Sequence, residues 1–117
     1  VLLITSRGTG RWVIPKGWPM AGRSLADAAM QEAWEEAGVR GRVAGQEIGR
    51  FSYEKEQDEG FSVPIEVHAF LLEVTEQHAD FPEAGQRHTH WFAPARAADL
   101  VAEPGLSRLL RGLDARP

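Results

Sequence analysis

Residues 17–39 read GWPMAGRSLADAAMQEAWEEAGV, and their punctuation decides the fold. Ser24 is a helix N-cap residue, with Asp27 three positions on as its capping-box partner. Leu25, Ala28, Ala29 and Ala33 recur at helical spacing and give a small-residue face for close packing. Gly38 stands where a left-handed C-terminal cap belongs, so the spacing predicts a helix up to about Ala37. On that helix Glu32, Glu35 and Glu36 lie three and four residues apart and share a face. Carboxylates crowded in this way repel one another, and a divalent cation makes the cluster tolerable. The segment therefore reads as a hard-metal site, a chemistry usually tied to phosphate.

Working outward, residues 1–5 (VLLIT) form an apolar run read as a buried strand. Residues 7–10 are a turn, residues 11–14 resume an extended segment, and residues 15–22 hold two Pro and two Gly and read as a loop. Downstream, residues 43–53 read as a loosely alternating strand or pair of strands, with bends at Gly45 and Gly49. Residues 56–60 are a turn. Residues 61–74 form the longest strand candidate, with Phe61, Val63, Ile65, Val67, Ala69 and Leu71 on one face, and Pro64 assigns its first part to a sheet edge. Residues 75–86 read as a polar loop and residues 90–92 as a short strand. Residues 95–102 and 106–113 read as two closing helices separated by Glu103-Pro104-Gly105. The order gives a single α/β domain over residues 1–117. Because Val1 opens inside a strand-like run, further residues, a strand among them, are expected to precede it.

The 117 residues carry 43% apolar and 26% charged side chains, with four Trp and five Phe, as an ordinary globular domain does. A net charge of −4 argues against a broad surface for a nucleic acid polymer, while a few clustered Arg and Lys suffice for a small phosphorylated ligand. With no cysteine, disulfides, thiolate metal sites and Cys nucleophiles are excluded. No apolar run approaches the roughly 18 residues of a membrane span, and no signal peptide is visible. The expectation is a cytoplasmic protein without a membrane partner, monomeric or homodimeric.

The same stretch resembles the signature box of the Nudix hydrolases. That pattern places Gly, five residues, Glu, seven residues, then Arg-Glu-apolar-x-Glu-Glu-x-Gly-apolar. Gly17 opens it, and Glu32, Ala33, Glu35, Glu36, Gly38 and Val39 close it at matching spacing. The lead-in from Arg11 to Gly17 (RWVIPKG) and the downstream Phe81-Pro82-Glu83, Arg87 and Trp91-Phe92 also look like the family. Three matched blocks in order are more specific than one short motif. The resemblance implies a Nudix fold, a mixed β-sheet sandwiched between helices (α/β/α) with a loop-helix-loop box. Two positions depart from the pattern: Arg23 stands where the family has Glu, and Gln31 where it has Arg. That Arg usually pairs with box carboxylates. Gln31 hydrogen-bonds without charge assistance, so Arg23 is expected to take over part of the pairing from the loop side.

The resemblance assigns Glu32 and Glu36 to Mg²⁺ or Mn²⁺, with the backbone around Lys16-Gly17 as a further ligand. It makes Glu35 the general base and Glu83 the alternative. Among the branches of the family the chain is most similar to the diphosphoinositol polyphosphate and diadenosine polyphosphate hydrolases. By that likeness Thr5, Ser6, Arg7 and Arg11 line a phosphate site, and Lys16, Lys55 and Arg87 add positive charge. Trp18 stacks a base or packs at the core or rim, with packing favoured. Trp12, Trp34 and Trp91 are structural, and the four histidines show no zinc spacing. The function implied is metal-dependent hydrolysis of a phosphoanhydride in a nucleoside-diphosphate-linked or inositol-diphosphate-type substrate. The rivals are a weakened domain that binds a phosphorylated ligand, which Arg23 and Gln31 favour, and a housekeeping hydrolase of damaged nucleotides.

Overall fold

The computed structural model describes residues 1–57 and 60–114. Leu3 and Ile4, neighbours on the first strand, are both 0% exposed and sit in different cores. Successive side chains of a strand point to opposite faces, so this pair reports a sheet covered on both sides. Strand β1 (Leu2–Thr5) lies between β2 (Trp12–Val13) and β7 (Thr89–Trp91), antiparallel to each. On one face Ile4 and Val13 pack against Ala33 and Ala37 of helix α1 (Leu25–Ala37), with Val39 beside them. On the other face Leu3 packs with Phe51 and with Ala97, Ala98, Leu106 and Leu110 of helices α2 (Pro94–Leu100) and α3 (Pro104–Asp114). Full burial of a Leu or Ile side chain contributes about 1.5–3 kcal/mol, and here it fastens helices to both faces. The α/β layering expected from the sequence is thus present.

Helix α1 begins as its sequence predicts. Ser24 has extended backbone, and its hydroxyl accepts the Asp27 N–H at 3.1 Å. It ends at Gly38, whose φ of 72° is left-handed and whose N–H donates to the Trp34 carbonyl at 3.0 Å. A Cβ there would also meet Phe81 at 2.4 Å, so the cap and the loop packed on it both require glycine.

Two small antiparallel sheets complete the fold, β3 (Val39–Val43) with β6 (Leu72–Gln77) and β4 (Gly49–Glu56) with β5 (Ser62–Ala69). The four ladders are antiparallel, and a parallel bridge joins Ala84 to Arg87 outside the strands. Several boundaries differ from expectation. The segment 43–53 is the end of β3 and the start of β4, and the register shift falls at Arg40/Gly41 rather than at Gly45. The run 61–74 is not one strand, because it changes partner after Ala69: Ile48 bonds Ala69 and Ala44 bonds Leu71 across the break. Alternation continues through such a corner, so periodicity does not reveal it. Phe61, Val63 and Leu71 are exposed rather than part of a buried face. β5 pairs with β4 alone among the described strands, as an edge strand carrying Pro64 should. β6 runs on to Gln77, into the segment read as loop. Pro104 and Gly105 belong to the first turn of α3, where a proline's missing N–H costs nothing. Of the turn expected at 56–60, Asp58 and Glu59 lie outside the described residues.

Candidate active site

Helix α1 presents Glu32 and Glu36, one turn apart, to a cleft of about 980 Å³. Its wall includes Lys16, Gly17, Trp18, Tyr53, Lys55 and Arg87. Glu36 is buried. That burial, and then a hydrogen bond shared with Glu32, push its carboxyl up to about 8, while the Arg87 guanidinium works in the opposite direction. A carboxyl buried beside a second carboxylate, with one guanidinium at 3.6 Å, marks a site short of positive charge. Gly17 supplies the close approach: a Cβ on it would stand 2.3 Å from the Glu32 carboxylate, so the backbone of the 15–22 loop lies directly against that side chain.

Among the described residues no group of three or more His, Cys, Asp or Glu is arranged to hold a metal ion. The residues present nonetheless fit Mg²⁺ or Mn²⁺. Mg²⁺ is usually bound through one or two carboxylates, with water and substrate phosphates filling the remaining positions. Glu32 and Glu36 provide that pair, and Gly17 keeps the backbone near them. Three of the four histidines take other parts. His68 contacts Glu47 at 3.0 Å, His78 packs edge-on against Trp34, and His90 packs against Phe92.

Glu35, three residues from Glu32, stands on the adjoining face of the helix and is not part of the cleft wall. Its carboxylate accepts the Gln31 side-chain amide at 3.1 Å, and Gln31 in turn accepts Arg23 at 3.5 Å. The two departures from the Nudix pattern therefore touch, and Arg23 reaches the box helix from the loop through Gln31. The Glu35 carbonyl also accepts the Glu83 N–H at 3.0 Å, so both candidate bases belong to one corner of the structure.

The expected phosphate ligands divide into two groups. Arg87 is paired with Glu83 at 2.9 Å and Glu36 at 3.6 Å, and donates to the Thr5 carbonyl at 3.2 Å. Arg7 lies 3.7 Å from Glu83 and donates to Gln86. The Thr5 hydroxyl accepts the His88 N–H, and the Ser6 hydroxyl is hydrogen-bonded to Thr9. Arg11 is held by Glu103 at 2.7 Å, which ties β2 to the junction of α2 and α3. Lys16 and Lys55 instead rest on aromatic rings in the cleft, Lys16 over Tyr53 at 5.1 Å and Lys55 over Trp18 at 4.9 Å. Burial lowers the Lys16 ammonium from its ordinary value, partly offset by Glu36 and Glu103. Trp18 is 60% exposed, so it belongs to the rim and not to the core.

Trp12 packs edge-on against Phe92, and Trp34 carries Arg40 over its ring. Trp91 donates to Gln77 while half its surface faces solvent. Two site residues escaped the sequence reading. Glu103 looks like a helix-boundary charge, and its partner Arg11 is distant in the chain. Tyr53, the one tyrosine, carried no motif.

The NUDIX domain family model matches residues 1–113. Nudix hydrolase 12, mitochondrial, of Arabidopsis thaliana is 30% identical over 114 residues, covering 94% of this chain and 56% of that protein. Nudix hydrolase 21, chloroplastic, from the same plant is 31% identical over 101 residues, covering 86% and 49%. Diphosphoinositol polyphosphate phosphohydrolase 3-alpha of Mus musculus is 33% identical over 94 residues, covering 79% and 53%. The chain spans about half the length of these curated relatives. Their mitochondrial and chloroplastic names show that relatives of this chain are not confined to the cytoplasm. No helix among the described residues is long and apolar enough to cross a membrane. From its box, its fold and the match over nearly its whole length, the chain belongs to the Nudix family.

Proposed function

We propose that this chain is a metal-dependent hydrolase of a phosphoanhydride in a small phosphorylated substrate, a nucleoside-diphosphate-linked or inositol-diphosphate-type compound. The observation that carries the reading is the Glu32–Glu36 pair in the cleft, Glu36 buried and Glu32 with the Gly17 backbone against it. Those residues would hold Mg²⁺ or Mn²⁺, which when bound neutralises phosphate oxygens and makes water more acidic. Water attacks phosphorus, the bridging P–O bond breaks, and the leaving phosphate departs with the bond's electron pair. Glu35 takes the proton of the attacking water, with Glu83 beside it as the alternative. Lys16 and Lys55 meet the phosphates, and Arg87 keeps the carboxylates in place while adding positive charge to the same wall. Of Thr5, Ser6, Arg7 and Arg11, Arg7 borders the cleft and would reach the substrate's outer phosphate, while Arg11 acts chiefly through Glu103. The setting expected for this chemistry is cytoplasmic.

The experiment is a panel of phosphoanhydrides (dinucleoside polyphosphates, nucleotide sugars, a diphosphoinositol polyphosphate, nucleoside triphosphates) assayed with Mg²⁺ and Mn²⁺. Metal-dependent cleavage of at least one is expected, and Glu35→Gln or Glu83→Gln, whichever removes the base, should abolish it. Tight ligand binding with no cleavage of any member would favour the ligand-binding module instead.

A further inference from the structure

Glu103 is a buried carboxylate for which the hydrolase chemistry has no direct use. Its side chain is only 9% exposed, and among the described residues its ion-pair partner is Arg11, which donates to both carboxylate oxygens at 2.7 and 3.3 Å. Stability alone does not call for such a pair, because well-packed apolar side chains in its place are often as stable or more so. Arg11 directly precedes β2, an edge strand of two residues whose ladder reaches only Ile4 and Thr5. Four residues beyond Val13 stands Gly17, where a Cβ would come within 2.3 Å of the Glu32 carboxylate. Among the described strands none flanks the outer side of β2, so the loop that follows needs another hold. Two side chains provide it, Trp12 edge-on against Phe92 and Arg11 on Glu103. Glu103 is itself fixed by α3, whose Ser107 N–H donates to its carbonyl at 3.0 Å. Its charge also reaches the cleft wall, where the Tyr53 phenol is pushed up first by burial and then by Glu103.

We infer that Glu103 is a positioning residue for the divalent cation: through Arg11 it holds β2 and the 15–22 loop, and so keeps the Gly17 backbone against Glu32. This rests on the reading of Glu32 and Glu36 as the metal pair. Glu103 does not touch the cation; it controls how firmly the loop is held beside the carboxylates. Without Glu103, Arg11 loses its partner, the outer side of β2 keeps only the Trp12 contact, and the loop is free to move off Glu32. A site whose groups must be gathered at the moment of binding has a lower affinity than one already assembled. Residues that orient a metal site from outside its ligands change its affinity by about 10–100-fold.

The test is Mn²⁺ binding to the whole chain, read from the electron paramagnetic resonance signal of free Mn²⁺, so that no turnover is needed. Glu103→Gln should weaken binding about tenfold, and Glu103→Asp, which keeps the charge, should recover part of the loss. Arg11→Met combined with Glu103→Leu is an apolar pair that keeps the fold without directed bonds, and it should bind Mn²⁺ as weakly as Glu103→Gln. Ser107→Ala is the control. It removes a hydroxyl that donates to the Ala98 carbonyl at 2.8 Å, so it loosens the same helix junction without touching the pair. It should lower the melting temperature and leave Mn²⁺ affinity unchanged. Wild-type affinity in folded Glu103→Gln or in the apolar double variant, or a loss in Ser107→Ala as large as that in Glu103→Gln, would overturn the inference. No Mn²⁺ binding by the wild type would overturn it together with the hydrolase reading. Glu103-dependent Mn²⁺ binding without cleavage of any anhydride leaves the inference and removes the hydrolase, whereas cleavage with unchanged Mn²⁺ binding in the variants removes the inference alone.

Discussion

Two adjoining faces of helix α1 carry acidic residues in different circumstances. On the cleft side, Glu36 is buried against Glu32 and Arg87, and its carboxyl is pushed up to about 8. On the adjoining face, Gln31 and Glu35 form a hydrogen-bonded relay with the exposed Arg23. A buried charge pair is costly to disturb, while an exposed relay is screened by water and contributes little. The departures from the family pattern fall on this second face, which also carries the proposed base Glu35. The substitutions at Arg23 and Gln31 therefore touch the scaffold of the box and leave its carboxylate pair intact.

Breaking the cleft side should have the largest effects. Glu36→Gln is expected to reduce Mg²⁺-dependent turnover beyond the roughly 10–100-fold that loss of a metal site's outer-shell partner costs. The check is kcat at saturating Mg²⁺, with a retained fold verified by circular dichroism. Arg87→Met leaves Glu36 and Glu83 without their shared counter-charge and should destabilise the metal-free protein by about 3 kcal/mol or more. Added Mg²⁺ should recover part of that loss in thermal unfolding. Gly38→Ala, at the end of the same helix, forces a left-handed alanine against Phe81 and should cost about 1–2 kcal/mol. On the exposed side, Arg23→Glu combined with Gln31→Arg should change stability by no more than about 1 kcal/mol and turnover only a few-fold. A large loss of activity from that double variant would show that the relay controls the base.

What the sequence made legible were the features written in neighbouring residues. Ser24, the Ala-rich face and Gly38 delimited helix α1, and the spacing of Glu32 and Glu36 placed both on the cleft. What it hid was set by distant partners. The corner after Ala69 lies where the chain leaves β4 for β3, and the alternation of apolar residues continues across it. Arg11 reads as a free cation until Glu103, from the far end of the chain, takes it. Glu35 shares helical spacing with the other two glutamates, but Gln31 draws its side chain aside. Trp18 read as core or rim packing, and its 60% exposure, set by the loop's path rather than by local sequence, selects the rim.

The central claim is that the Glu32–Glu36 pair holds the cation on which phosphoanhydride cleavage depends. The most direct test is the initial rate of cleavage of the best substrate in the panel, measured for the wild type and Glu36→Gln across a Mg²⁺ titration. The account predicts a wild-type rate that rises with Mg²⁺ and vanishes with chelator, and a variant rate near background at every concentration. Equal rates and equal Mg²⁺ dependence in the two proteins would contradict it.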